Sequence, residues 1–249
     1  MRFEGKTLFA TGGGSGLAAA VARRFTAEGG RVAVADLDGE RAEAVAAELG
    51  GIALQLDVAD EDAVRAGVRS AHEQLGRIDC AFPAAGHADF GPIEEWSLAR
   101  WNRMMTVHAG GTFLVCREVA PIMRAQGGGS IVNVSSIAAL VAQQGNAPYG
   151  AAKGAILSFS RQLARDLAPE IRVNVVAPGR VRTGMTEPIF TERGGGNYEV
   201  GAAMAAENTL LKRLGEPEEI ASTVCFLLSD EAGFITGSVI VADAGETAI

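Results

Sequence analysis

The chain lacks the features that mark several broad classes. Cysteine is scarce: Cys80, Cys116 and Cys225 are the three in 249 residues, far apart and with no CxxC pair. That excludes a zinc ribbon and a dithiol motif, and all three lie in apolar-periodic segments where buried packing is expected. Basic charge is in deficit, with 22 Lys and Arg against 30 Asp and Glu. A net charge of −8 gives no basic field for a phosphate backbone or an anionic membrane surface. No apolar run approaches the ~20 residues of a membrane span. The opening Met1-Arg2-Phe3-Glu4-Gly5-Lys6 leads into an apolar run too short for a signal-peptide core. Histidine is also scarce, and no His/Asp/Glu spacing argues for a catalytic metal. The expectation is a soluble cytoplasmic protein without metal, nucleic-acid or membrane partners.

Apolar residues are plentiful at 48%, ample for a large core. They fall in an alternating pattern. Short runs at Thr7–Ala10, Arg31–Ala35, Ile52–Asp57, Ile78–Phe82, Ser130–Val134, Arg172–Ala177 and Ser238–Val241 read as strands. Between them, Gly16–Glu28, Gly39–Leu49, Glu61–Leu75, Trp101–Arg124, Tyr149–Leu167 and Pro217–Leu228 carry helical spacing. Near-continuous apolar strands alternating with helices predict an α/β fold, a doubly wound parallel sheet covered on both faces. No linker divides the chain, so residues 1–249 read as one domain. Arg180–Asn208 shows no clear strand, and a segment that long reads as a functional or mobile loop.

Thr11-Gly12-Gly13-Gly14-Ser15-Gly16-Leu17-Ala18 follows the first strand and opens the first helix. Glycines there permit a tight turn and let backbone N–H groups approach a pyrophosphate. Gly12, Gly14, Ser15, Gly16 and Leu17 are therefore candidate phosphate-loop residues. Asp36 and Leu37 end the second strand. A carboxylate at Asp36 accepts from ribose hydroxyls and repels a 2′-phosphate. Ser15 stands where a basic residue would neutralise that phosphate, so the loop favours NAD over NADP. The alternative reading is that Asp36 simply caps the helix beginning near Gly39. Asp57, before Val58, closes the third strand and faces either the ligand crevice or the helix near Glu61.

Tyr149 and Lys153 are four apart on one helical face. A nearby ammonium stabilises a phenolate and suits the tyrosine to general acid–base work. Ser136 lies 13 residues before Tyr149, near the same sheet edge, and its hydroxyl suits a substrate oxygen.

These features together resemble the short-chain dehydrogenase/reductase family. The resemblance covers essentially the whole chain. It rests on Thr11–Gly16, Asp57, the ordered set Ser136–Tyr149–Lys153, Asn174-Val175-Val176-Ala177-Pro178-Gly179, Val181-Arg182-Thr183 and Ile235-Thr236-Gly237. It implies a Rossmann-like domain of seven parallel strands, a nicotinamide cofactor, and hydride transfer to or from a carbon bearing oxygen. It assigns proton transfer to Tyr149, tuning of Tyr149 and the nicotinamide ribose to Lys153, and the substrate oxygen to Ser136. It places Val181, Thr183, Pro178 and Gly179 at the nicotinamide, Asp57 and Val58 at the adenine, and the loop at about 180–208 over the substrate. It also implies a homotetramer or homodimer through the helices at Trp101–Arg124 and Tyr149–Leu167.

Four departures from the family pattern stand out. Ala18 replaces the last glycine of the loop. Pro83-Ala84-Ala85-Gly86 replaces a run that usually reads Asn-Asn-Ala-Gly, leaving Ala84, Ala85 and Gly86 to meet the cofactor through backbone. His108 replaces an asparagine that supports a helix kink and a water-mediated proton relay to the lysine. His108 both donates and accepts and titrates near neutrality, so it reads either as a relay member or as a satisfied core histidine.

The expected substrate wall combines Ala138, Leu140, Val141, Gln143, His87, Met185, Ile189, Phe190 and Met204, with Arg180 and Arg182 as candidates for an anionic group. His72 is expected at the surface. The leading reading is an NAD(H)-dependent oxidoreductase of a secondary alcohol or ketone. Two alternatives are an NADPH-dependent 3-ketoacyl-thioester reductase and a non-catalytic nucleotide-binding protein of the same fold.

Overall fold

The computed structural model describes residues 1–248; Ile249, the last residue of the expected domain, lies outside the described residues. Strand β1 (Thr7–Thr11) is buried along its whole length. Its side chains alternate: Leu8 and Ala10 enter one apolar cluster and Phe9 the other. That alternation makes β1 the wall between two cores.

Six further strands join it: β2 (Arg31–Asp36), β3 (Ile52–Gln55), β4 (Cys80–Pro83), β5 (Gly129–Val134), β6 (Ile171–Pro178) and β7 (Val239–Ala242). They form one parallel sheet in the order β3-β2-β1-β4-β5-β6-β7. The sequence therefore reverses direction between β1 and β4, where a crevice opens at the strands' C-terminal ends. One face carries α1 (Gly16–Ala27), α2 (Gly39–Leu49) and α9 (Pro217–Leu228); Ala18 packs there at 2% exposure, so its methyl fits the glycine position. The other face carries α3 (Glu61–Leu75), α5 (Gly111–Ala125) and α6 (Ala147–Leu167). Cys80, Cys116 and Cys225 are all buried, and burial pushes each thiol well above its ordinary range.

Local chemistry sets the helix starts. The Asp38 side chain accepts from Arg41 N–H at 3.2 Å and caps α2. Asp60 accepts from Asp62 and Ala63 N–H at 2.9 and 3.0 Å and caps α3. Neither Asp36 nor Asp57 is a helix cap. β3 stops at Gln55, so Asp57 lies beyond the strand it was expected to close, and its Oδ1 accepts from Ala59 N–H at 2.9 Å.

Two segments differ from the sequence expectation in kind. The long helix at Trp101–Arg124 is α4 (Leu98–Met105) and α5 joined by a π-helical turn at Thr106–Gly110, with His108 inside it. A π turn adds one residue without breaking the rod, so apolar periodicity passes through it. The 180–208 segment is not a plain loop. It contains α7 (Glu187–Arg193) and α8 (Tyr198–Ala206), which share a small core of Phe190, Ala202, Ala205 and Leu214. His72 is half-buried, not at the surface, because the last turn of α3 lies down on the sheet.

At the opposite edge from the crevice, the half-buried Arg172 guanidinium closes the end of α9. It donates to the carbonyls of Leu227 and Ser229 at 2.9 and 2.8 Å, and to Ile235 and Leu228 at 3.3 and 3.4 Å. A cation there satisfies carbonyls that the helix end leaves free. Arg172→Met is expected to cost about 2–3 kcal/mol in urea unfolding. Nucleotide affinity is expected to stay unchanged in the same variant, because the crevice lies at the other end of the sheet.

Candidate functional site

Crowding shapes the loop after β1. Gly12 has φ +68°, and a Cβ there would stand 2.9 Å from the Ala85 Cα. Only glycine lets β1 and the β4 loop approach this closely. Ser15 is the N-cap of α1 but makes no side-chain cap bond, so the first-turn N–H groups are left open to the crevice. Gly12, Ser15, Gly16 and Leu17 line a cleft of about 540 Å³. Gly14 does not line it. Its N–H turns back and donates to Asp36 Oδ2 at 2.9 Å.

The cleft runs from Asp36 and Leu37, past Asp57 and Val58, to Ser136, Tyr149 and Lys153. Ala84, Ala85, Gly86, Pro178, Gly179, Val181 and Thr183 lie along it. The main chain after Pro83 is tied to Thr11: Ala84 N–H donates to its carbonyl at 3.3 Å and Ala85 N–H to its hydroxyl at 3.4 Å. Arg41 also lines the cleft and pairs with Asp38 at 3.0 Å. Sequence spacing gave no sign of this, because Arg41 lies a full helical turn past the strand.

Lys153 is 5% exposed on α6, and its Nζ donates to the Val134 carbonyl at 3.0 Å. Burial pushes the amine down to about 8. The ammonium lies 5.6 Å from the Tyr149 ring centroid. Tyr149 is half-buried and densely surrounded, and desolvation pushes its phenol up to about 12, with Ser136 pulling the other way. Phe90 meets the Tyr149 ring edge-on at 5.6 Å, a contact that sequence spacing did not suggest.

His108 is 1% exposed and turns a ring edge toward Tyr149, with centroids 5.5 Å apart. Its Nε2 lies 3.0 Å from the His87 carbonyl and 3.2 Å from the His87 N–H. Its Nδ1 is buried with no partner on the chain. Burial, then Lys153 and His87, push the imidazole down to about 2. The expected titration near neutrality is therefore absent, since desolvation forbids the charged form.

The remaining wall residues divide. His87, Met185 and Thr186 face the cleft, and Gln143, Ile189, Phe190 and Arg193 line an adjoining lobe that shares Ser136 and Tyr149. Ala138, Leu140, Val141 and Met204 line neither, the last three being solvent-exposed. Arg180 is engaged by Glu246 through two bonds of 2.9 and 2.8 Å, and Arg182 by Glu216 at 3.2 Å and Tyr198 Oη at 3.0 Å. Among the described residues, no three His, Cys, Asp or Glu side chains gather as a metal site, and no helix is long and apolar enough to cross a membrane.

A crevice at the switch point of a doubly wound sheet, entered by a glycine turn and floored by Ser, Tyr and Lys, defines a dinucleotide-using oxidoreductase class. Similarity to known proteins narrows it. Residues 12–247 match the family described as Enoyl-(Acyl carrier protein) reductase. The chain is 36% identical over 253 residues to a D-threitol dehydrogenase of Mycolicibacterium smegmatis, covering 99% of this chain and 94% of that one. It is 38% identical over 253 residues to a meso-2,3-butanediol dehydrogenase of Serratia marcescens, covering 100% and 97%. The crystal structure of a levodione reductase superposes with a TM-score of 0.94 at 34% identity, covering 99% of both chains. The chain belongs to the short-chain dehydrogenase/reductase family, oxidoreductases of alcohols and ketones that use nicotinamide cofactors.

His108 carries a pH consequence. Its folded pKa is far below the ~6.5 of an unfolded histidine. Below pH 6.5 the unfolded chain takes up a proton that the folded protein refuses, so stability falls with acid. From pH 6.5 to pH 5 the wild type should lose about 2 kcal/mol more than His108→Asn. Urea unfolding at the two pH values measures this, and parallel losses would remove the assigned burial effect.

Proposed function

We propose that the chain is a single-domain, NAD(H)-dependent oxidoreductase acting between a secondary alcohol and its ketone, with Tyr149 as the acid/base. The observation that carries this reading is the convergence of Ser136, Tyr149 and Lys153 at one end of a cleft whose other end presents the Asp36 carboxylate. A nicotinamide bound there supplies or accepts the hydride. In alcohol oxidation the Tyr149 oxygen takes the hydroxyl proton as hydride leaves the carbon; in ketone reduction it returns that proton. Ser136 Oγ holds the reacting oxygen. The Lys153 ammonium favours the phenolate and offsets part of the burial that opposes it. Its two remaining donors suit the nicotinamide ribose and a water shared with His108 Nδ1. His108 would then serve the relay as a neutral group, accepting at one nitrogen and donating at the other. Helix α7 lines the substrate lobe and serves as its cover, with α8 packed behind it.

NAD rather than NADP follows from Asp36, whose carboxylate repels a 2′-phosphate. Arg41 lies nearby and supports the alternative of an NADPH-dependent ketoacyl-thioester reductase, but it is drawn onto Asp38. For assembly, a homodimer or homotetramer in the cytoplasm is proposed. The outer faces of α5 and α6 support it, where Phe113 is 44% exposed beside Phe159.

Two measurements test these assignments. Paired fluorescence titrations should show NADH binding at least tenfold tighter than NADPH, and Asp36→Ser should narrow that gap. Tighter NADPH binding would promote the reductase alternative. Tyr149→Phe should lower kcat by at least about a thousandfold with NADH affinity kept within a few fold. Undiminished turnover would remove Tyr149 as the proton carrier.

A further inference from the structure

The polar side chains around Ser136 and Tyr149 are mostly spoken for. Gln143 Oε1 accepts from Asn146 Nδ2 at 2.6 Å. Arg180 and Arg182, the cations that the sequence offered for an acidic substrate, are neutralised by Glu246 and Glu216. His87 differs. Its backbone is held at His108 Nε2, which accepts from the His87 N–H or donates to the His87 carbonyl according to its tautomer. Its imidazole makes no hydrogen bond to the chain, and Nδ1 is buried without a partner. The ring is half-buried, lines the cleft with Ser136 and Tyr149, and lies 5.2 Å from the His108 ring.

A neutral imidazole carries one donor and one acceptor. Desolvation, with Arg103, lowers the His87 pKa, so the ring enters the cleft uncharged. A polar atom buried without a partner costs about 1–3 kcal/mol unless something else satisfies it. That cost falls on the enclosed Nδ1; Nε2, which makes no bond to the chain and is not enclosed, is where a hydroxyl or carbonyl on the substrate finds a partner and a methyl does not. The adjoining lobe, which shares Ser136 and Tyr149 with the cleft but not His87, puts Phe90, Met185, Ile189 and Phe190 on its wall beside Gln143, Asn146 and Arg193. A neutral imidazole on the cleft wall beside Ser136 and Tyr149 fits a substrate with one further neutral oxygen.

We propose that His87 hydrogen-bonds a second oxygen of the substrate, which makes the enzyme selective for a neutral diol, polyol or hydroxyketone over the mono-functional alcohol or ketone of the same skeleton. This rests on the reading of Ser136 and Tyr149 as the groups that hold the reacting oxygen. Discrimination by a buried hydrogen bond is strong because the wrong substrate leaves the protein group unpaired.

The test is a set of paired substrates for the full-length protein with NAD+ and NADP+. The pairs are butane-2,3-diol with butan-2-ol, and cyclohexane-1,2-diol with cyclohexanol. The wild type should favour the diol in kcat/KM by roughly 10- to 100-fold. His87→Leu should bring the ratio toward one, and His87→Gln, which keeps a donor and an acceptor, should restore part of it. Melting curves verify that both variants fold. A wild-type ratio near one overturns the proposal. So does a ratio unchanged in His87→Leu, or equal damage to both members of a pair, which is the mark of a packing role. Turnover without diol preference fails this inference alone. No turnover of any pair with either nucleotide fails the oxidoreductase reading and this inference with it.

Discussion

A buried ammonium governs the site. Lys153 sits under the C-terminal edge of the sheet at 5% exposure with the Val134 carbonyl as its protein acceptor. An amine with that little compensation costs stability, and its lowered pKa records the cost. The chain does not spread this strain widely. Ser135 Oγ donates to the Lys153 carbonyl at 2.8 Å, and Asn133 Nδ2 to Ser160 Oγ at 2.9 Å, so α6 is stitched to β5 where the charge is held. Two donors of the ammonium are left without acceptors on the chain, and a stable fold without function has no use for that arrangement. The same burial raises the Tyr149 phenol, so it draws the lysine toward its neutral form and holds the phenol in its neutral form. Each has something to gain from the other and from a ligand between them.

The departures from the family pattern are absorbed differently. Ala18 is absorbed by packing, one methyl in a core of alanines. Pro83 and Ala84 leave the local main chain tied to Thr11, whose carbonyl and hydroxyl accept from the Ala84 and Ala85 N–H groups. His108 is not absorbed. It is larger than the asparagine it replaces, it fills the space over Gly86, where a Cβ would lie 2.5 Å from its Cε1, and one of its nitrogens stays unpaired. The π turn at Thr106–Gly110 is what aims that ring inward. A π turn at this point and a buried polar ring within it are the two kinds of local irregularity that folds retain mainly at functional positions.

Much of this was legible from the sequence, for identifiable reasons. Helices α2, α3 and α9 have the boundaries read from the chain, because Asp38, Asp60 and Pro217 mark their starts. The sheet was legible because its strands are almost wholly apolar, and their ends moved by a residue or two where the ladder rather than the composition decides. Beyond that, legibility failed wherever a long-range partner decides. Glu246 engages Arg180 from 66 residues away, and nothing in a local window announces it. The α7–α8 pair was missed because its three glycines and short apolar stretches read as loop, while its stability comes from Phe190, Ala202, Ala205 and Leu214 packing together. Titration was missed for the same reason: a histidine next to an alanine and a valine in sequence looks ordinary, and only the fold puts it against Lys153.

Cofactor choice turns on how firmly Asp36 is held. Its Oδ2 accepts from Gly14 N–H at 2.9 Å and its Oδ1 from Asp38 N–H at 3.0 Å. Each carboxylate oxygen has a second lone pair, so Asp36 can keep both bonds and still accept from ribose hydroxyls. A 2′-phosphate faces the opposite situation. The carboxylate cannot swing aside without breaking the bond that shapes the glycine turn, so relief of the repulsion would disturb the phosphate loop itself. Nor does Arg41 come free of charge, since moving it to a phosphate takes it from Asp38 and leaves two carboxylates facing the new anion. The geometry therefore couples cofactor choice to the integrity of the loop. Under the proposed NAD preference, a change toward NADP needs both Asp36 replaced and the Gly14 N–H given another acceptor.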